Sequence, residues 1–412
     1  MDETGRYPCA GACVAPMMLL VLTASALAAP TLVDDGLFNY TEARERCHHR
    51  TPTRRAFFGD LHIHTAYSYD ARPAGTRTTP ADAYRFARGV PLSIPPYDEQ
   101  GMPSAVLKLQ RPLDFAAVTD HSEYFGEIAL CFDADSVSYE TPACQGFREG
   151  APDIAFALIR MMLLREDPQR MAEICGEDGA VCQEAEVSLW QLTQEMAEAA
   201  YDRSSACEFT TFVGYEHTGT PNANNVHRNV IFRNRNVPER AVSYVDTPSD
   251  RLLWESLQAE CLAGIEGCDV LAIPHNANLS SGAMFPSYVG RTESPGADNA
   301  LASLRNAMEP IMEVFQHKGN SECFNGLPDI LGAPDELCDI EQVHLLSKTF
   351  EAGGDGAGVR FCEDGEVGTR GFLASGCISK NDFFRSVLLT GLQDEAQIGV
   401  NPYKLGVIAS TD

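Results

Sequence analysis

Six short apolar runs of this chain each end in histidine or a carboxylate, and that repetition limits its fold more than any other feature. FFGDLHIHT ends in His62 and His64, DFAAVTDH in Asp120 and His121, and FTTFVGYEH in Glu216 and His217. VLAIPHN ends in His275, IMEVFQH carries Glu313 and His317, and KLGVIASTD ends in Asp412. Apolar runs at residues 56–63, 114–119, 209–215, 226–233, 270–273, 311–315 and 404–409 suit buried parallel strands. Between them lie helix signals at 153–165, 184–201, 249–263 and 381–392, and at Thr79-Pro80, a cap followed by a first-turn proline. Strands alternating with helices predict a parallel α/β fold. In a parallel barrel all the strand ends share one rim, where active sites are built.

His62 and His64 are two apart, so on a strand both imidazoles point to the same side and reach one ion. Together with His121 and Glu216 they are the expected metal ligands, and Glu216 suits a bridge because a carboxylate offers one oxygen to each of two ions. Asp60 has two readings, ligand or support of a histidine. Asp120 has the same two, and it joins His121 and Glu216 as a candidate catalytic residue. His217 should point away from Glu216 and be structural. His227, with Arg228 in NVHRNVIF, either lines the pocket or is a satisfied buried histidine. Tyr67, Ser68 and Asn276 complete the candidate substrate contacts. His48, His49 and His344 read as surface residues.

There is no Gly-x-Ser-x-Gly elbow and no convincing cysteine nucleophile. The glycine-rich EAGGDGAG at 351–358 lacks the Gly-Lys-Ser/Thr ending of a phosphate loop and reads as a surface loop. Neutral histidines with carboxylates suit Zn, Mn or Fe, which make hydroxide from water near neutral pH. The net charge of −27 repels phosphate backbones, so nucleic acid is excluded as a partner and a small substrate, anionic or not, is expected.

Residues 15–28 form an apolar stretch ending in Ala26-Leu27-Ala28, a signal-peptide pattern too short to anchor in a membrane. Cleavage there leaves 12 of the 14 cysteines. Ten lie as near neighbours, Cys131 and Cys144, Cys175 and Cys182, Cys261 and Cys268, Cys323 and Cys338, Cys362 and Cys377, with Cys47 and Cys207 left over. Such a count after a signal peptide predicts disulfides in an oxidising compartment, the periplasm. The expected organisation is a signal segment at 1–28, a polar lead at 29–55, and a catalytic domain at 56–412 with insertions near 132–178 and 319–376.

The motifs FGDLHIHTAYSYDA, LDFAAVTDHSEYFG, GYEHT, HRNVIF, PHN, EVFQHKGNSE and GVIASTD together resemble the PHP (polymerase and histidinol phosphatase) superfamily of metal-dependent phosphoesterases. More closely the chain resembles the DUF3604 branch, from about Phe57 to Asp412. The resemblance implies a distorted seven-stranded (βα) barrel of TIM-like type with two or three divalent ions at its rim. It implies His62, His64, Asp70, His121, Glu216, His275 and Asp412 as ligands, with His317 next in line and Glu313 and Glu322 competing for its place. On that pattern His62, His64, Glu216 and Asp412 hold one ion, Glu216, His275 and His317 a second, and Asp70 and His121 contribute to a third. The superfamily's final Asp-x-His motif needs a histidine two residues beyond Asp412, so the chain reads as C-terminally truncated. The implied activity is hydrolysis of a small phosphoester. Hydrolysis of an amide, lactone or carboxylic ester, or a non-catalytic metal-binding role, are the alternatives.

Overall fold

The computed structural model describes residues 42–412 except 52, 99, 101, 150–167, 329–332 and 345–359. The expected signal segment, most of the lead, the helix at 153–165 and the loop at 351–358 lie outside the described residues. Arg46–Asp412 form one unit.

All seven apolar runs are strands: β1 (Gly59–Ile63), β4 (Phe115–Val118), β5 (Thr210–His217), β6 (Arg228–Phe232), β7 (Val270–Pro274), β8 (Ile311–Gln316) and β10 (Gly406–Ala409). A two-residue strand, β9 (Gly319–Asn320), pairs with β8. The sequence reading missed the hairpin of β2 (Leu92–Tyr97) and β3 (Pro103–Leu107). Pro95 and Pro96 interrupt its strand pattern, and proline is accepted there because the hairpin is a separate two-stranded sheet.

Among the described residues there are eight α-helices: α1 (Pro80–Ala87), α2 (Phe125–Phe132), α3 (Pro142–Glu149), α4 (Ala172–Cys175), α5 (Ala180–Ala200), α6 (Asp250–Ser256), α7 (Pro295–Met308) and α8 (Phe384–Ile398). Thr79 caps α1 in a reciprocal capping box with Asp82, and Ser249 caps α6. The expected helix at 249–263 turns into a π-helix at Leu257–Leu262. Asn381, the first residue of the expected helix at 381–392, is not part of α8. It lies in a 3₁₀ turn that Ser379 caps, and the helix begins three residues later.

The sheet corrects the expected architecture. Five strands in the order β1-β4-β5-β6-β7 form a curled half-barrel, and β10-β8-β9 form a separate sheet, so the chain is not a closed (βα)7 TIM-like barrel. Pairing is parallel from β1 through β4 to β5, then antiparallel at β5–β6 and β6–β7. Only Thr218–His227 connects β5 to β6, and a parallel return needs a crossover of a dozen residues or more. The chain therefore doubles back.

The main core lies between this sheet and α2 and α5. Ala116, Val118, Val230 and Phe232 meet Phe125, Ile128, Leu189 and Trp190, all buried. Gly126 permits the close approach of the two helices, since a Cβ there would collide with the Cys182 carbonyl. Six disulfides join Cys131–Cys144, Cys175–Cys182, Cys261–Cys268, Cys323–Cys338, Cys362–Cys377 and Cys47–Cys207. The five neighbour pairs are bonded to one another, and both insertions carry such staples. Six disulfides are consistent with a secreted or extracellular protein. Among the described residues no helix is long and apolar enough to cross a membrane.

Candidate metal centre

The strand directions decide which residues meet. β1, β4 and β5 run parallel, so their C-terminal ends bring His62, His64, His121 and Glu216 to one rim. β6 runs the other way and starts at that rim, which delivers His227. β7 reverses again and ends there with His275. Just past β10, the Asp412 N–H donates to the His62 carbonyl at 3.0 Å, which carries its carboxylate to the same place.

Five imidazoles form a closed ring around Glu216. Neighbouring ring centroids are 5.1 Å apart for His62–His64, 4.6 Å for His64–His121, 6.2 Å for His121–His227, 5.8 Å for His227–His275 and 4.2 Å for His275–His62. Glu216 Oε2 lies 3.3, 3.2 and 3.4 Å from His62 Nε2, His64 Nε2 and His121 Nδ1. Its Oε1 lies 2.7 Å from His227 Nδ1 and 3.3 Å from His275 Nε2. Asp412 Oδ1 is 3.4 Å from His62 Nε2 and 3.1 Å from His64 Nε2, and those two nitrogens are 3.1 Å apart. Asp70 Oδ2 is 3.3 Å from His121 Nε2.

These spacings fit a metal. Ligands about 2.1 Å from a tetrahedral ion sit roughly 3.3 Å from one another. His62 Nε2 and His64 Nε2 lie 3.1 Å apart, and each is 3.1–3.4 Å from both Glu216 Oε2 and Asp412 Oδ1. Glu216 Oε1, at the centre of the ring, makes no hydrogen bond of ordinary geometry, and nor do His227 Nε2 and His275 Nδ1, the nitrogens turned away from it. Three groups have ligand atoms within 4.8 Å of one another: His62–His64–Asp412, His62–Glu216–His275 and His64–Asp70–His121. Two further groups each depend on a cysteine pair that is oxidised to a disulfide.

Asp120 does not reach the ring. It accepts hydrogen bonds from Thr65 N (2.6 Å), Thr65 Oγ1 (2.7 Å) and Ser68 Oγ (2.8 Å). With its proton committed to Asp120, the Ser68 hydroxyl accepts from His64 Nδ1 at 2.7 Å, which turns His64 Nε2 toward the cluster. Ser68 and Asp120 therefore orient His64. Ser68→Ala is expected to weaken metal affinity about 10- to 100-fold with the fold intact, as read by chelator competition.

His317 is exposed, and its Nδ1 pairs with the Thr411 carbonyl at 3.0 Å, outside the ring. Glu313 is buried 3.0 Å from His62 Nδ1, where it orients that imidazole. Glu322 faces Arg385. Arg228 lies opposite His217 on the outer face and pairs with Glu309 and Asp250. Burial and that arginine push the His217 pKa down to about 3. Asp60 accepts from His62 N and Thr411 Oγ1, tying β1 to the last residues. Tyr67 is half-buried with its ring 6.4 Å from Phe132. Asn276 accepts from Gln316 Nε2 at 2.6 Å. His344 is buried against the Asn278 carbonyl rather than on the surface. Sequence reasoning gave no part to Gln316, Thr218 or Lys318. The first holds Asp412 and the second lies 2.5 Å from His121 Nδ1.

The ring divides in protonation: carboxylates raise the pKa of His62, His64 and His121, whereas burial lowers that of His275 and pushes His227 down to about 4. Burial opposes charge on His62, but Glu313, Asp412 and Glu216 outweigh it and hold its pKa at about 9. Burial likewise opposes ionisation of Glu216, yet His121, His275 and His227 hold its carboxyl well below the usual range.

Fold and site define a mixed α/β protein with a buried histidine–carboxylate cluster on the rim of an open, curled sheet. Residues 51–412 match the family described as "Protein of unknown function (DUF3604)", and the chain belongs to that family. No curated protein and no solved structure matches it.

Proposed function

We propose that the chain is a metal-dependent hydrolase of small phosphoesters, related to the PHP superfamily and exported to the periplasm. The observation that carries this reading is that His62 Nε2 and His64 Nε2 each lie 3.1–3.4 Å from both the Glu216 and the Asp412 carboxylates. Glu216 Oε1, His275 and His227 would hold a second ion, with His227 in the place first given to His317. Asp70 and His121 would contribute to a third. Divalent Zn, Mn or Fe held there lowers the pKa of coordinated water to give a nucleophile near neutral pH, and neutralises charge on a phosphoryl group. The residues supply the rest: Glu216 joins the two ligand sets, and Ser68, Glu313 and Thr218 hold the imidazoles in register. The net charge of −27 favours a small substrate over nucleic acid. The export signal at 15–28 and the disulfides support the compartment.

The pH dependence follows from His62. An imidazole must lose its proton to bind metal, and in the metal-free protein this one keeps it to about pH 9. Metal binding should therefore release protons at neutral pH, and affinity should rise with pH up to about 9. Calorimetry in buffers of different ionisation enthalpy measures the protons released. For the metal-free fold the sign is opposite: the raised pKa adds stability below about pH 6.5 that disappears as pH rises through 9.

A panel of phosphomonoesters, phosphodiesters, carboxylic esters, lactones and amides tests the bond cleaved, using protein of measured metal content. Turnover of phosphoesters supports the proposal. Turnover of carbon esters or amides alone replaces it, and metal without any turnover leaves a binding protein.

A further inference from the structure

Beside the imidazole ring is a cavity of about 450 Å3, whose lining includes His64, Asp70, Thr76, His317, Lys318 and Asp412. That volume suits a small molecule. Lys318 has the only fixed positive charge among the described residues that line it. Its Nζ pairs with Asp412 Oδ2, while Asp412 Oδ1 faces His62 and His64. One ammonium therefore stands directly behind a candidate ligand, at the mouth of the cluster.

Charge balance gives this position a meaning. The carboxylates at the ring are Glu216, Asp412, Asp70 and Glu313. Divalent ions held at the ring would offset these carboxylates, and Lys318 adds a fixed positive charge on the wall of the cavity in a chain of net charge −27. Lys318 is also free to change partner. Gln316 Nε2 donates to both Asn276 Oδ1 and Asp412 Oδ2, so Asp412 keeps a hydrogen bond when the ammonium turns toward an incoming anion. The lysine is 39% exposed, and an anion can reach it without rearrangement of the core.

We propose that Lys318 anchors the oxyanion of a small phosphorylated substrate in this cavity. The inference deepens the hydrolase reading and names the residue that selects an anionic substrate. Lysine suits the role as a compact point charge on a flexible stem that finds one oxygen among several.

Titration calorimetry with inorganic phosphate tests it, on the full chain, with metal content measured on the same samples. Lys318→Met should weaken phosphate binding about tenfold or more and leave the metal content unchanged. Lys318→Arg, which keeps the charge, should stay within about threefold of wild type and guards against a folding defect in the first variant. Lys404→Met, on a surface pair with Glu395, should change nothing. Phosphate affinity equal in wild type and Lys318→Met overturns the inference, as does a wild-type protein that binds no phosphate. A metal-free protein whose phosphate binding still depends on Lys318 keeps the inference and removes the hydrolase reading.

Discussion

Glu216→Gln is expected to cost the protein at least one tightly held divalent ion per chain, and its turnover with it. Five imidazoles face this one side chain, three at Oε2 and two at Oε1. Glutamine has nearly the same shape, and the backbone pairing of Glu216 with Asn229 does not depend on the side chain. What the variant removes is the negative charge and one of the two acceptor oxygens. Loss of a residue that only orients a ligand already lowers metal affinity 10- to 100-fold, so loss of the bridging ligand should exceed about 100-fold. Elemental analysis after dialysis against a weak chelator reads the effect, with circular dichroism to show that the fold persists. A Glu216→Gln protein with its full metal complement would contradict the role given to this carboxylate.

The second large effect concerns stability. The Cys47–Cys207 disulfide closes a loop across a sequence separation of 160, the longest of the six. It ties the segment before β1 to the residues that enter β5, across most of the parallel half of the sheet. The chain-entropy relation gives about 5 kcal/mol for a loop of that length. The double variant Cys47→Ala/Cys207→Ala should therefore unfold at a clearly lower denaturant concentration. Loss of Cys175–Cys182, which closes only a separation of seven, should cost about half as much by the same relation. Equal losses in the two variants would show that strain or denatured-state structure, and not loop length, sets the contribution.

The strands and most of the ring were legible in the sequence because both depend on local pattern. A buried strand needs a continuous apolar run, and a rim ligand needs a polar residue at its end; β1, β4, β5 and β7 keep both rules. His227 shows where local pattern stops. On the assumption of an all-parallel sheet, the start of its strand belongs at the far rim, which favours a structural histidine. The ten-residue β5–β6 connection reverses the strand and brings His227 to within 2.7 Å of Glu216. The loop length was in the sequence; its consequence for direction was the missed signal. His317 fails for a different reason. Alternation from Glu313, which faces His62, would turn His317 inward, but His317 and Lys318 form the turn between β8 and β9, so His317 leaves the ring and Gln316 holds Asp412 instead. The roles of Ser68 and Asp120 depend on side-chain hydrogen bonds, which no spacing rule foretells.

The proposed role of Glu216 is to join two divalent ions held by the imidazole ring. Anomalous diffraction from crystals grown with Mn or Zn, collected on both sides of the metal absorption edge, tests it most directly. One peak is expected among His62, His64, Glu216 and Asp412 and a second beside Glu216 Oε1, His227 and His275. Well-ordered crystals with no peak at either position, or with metal only at sites remote from Glu216, would contradict it.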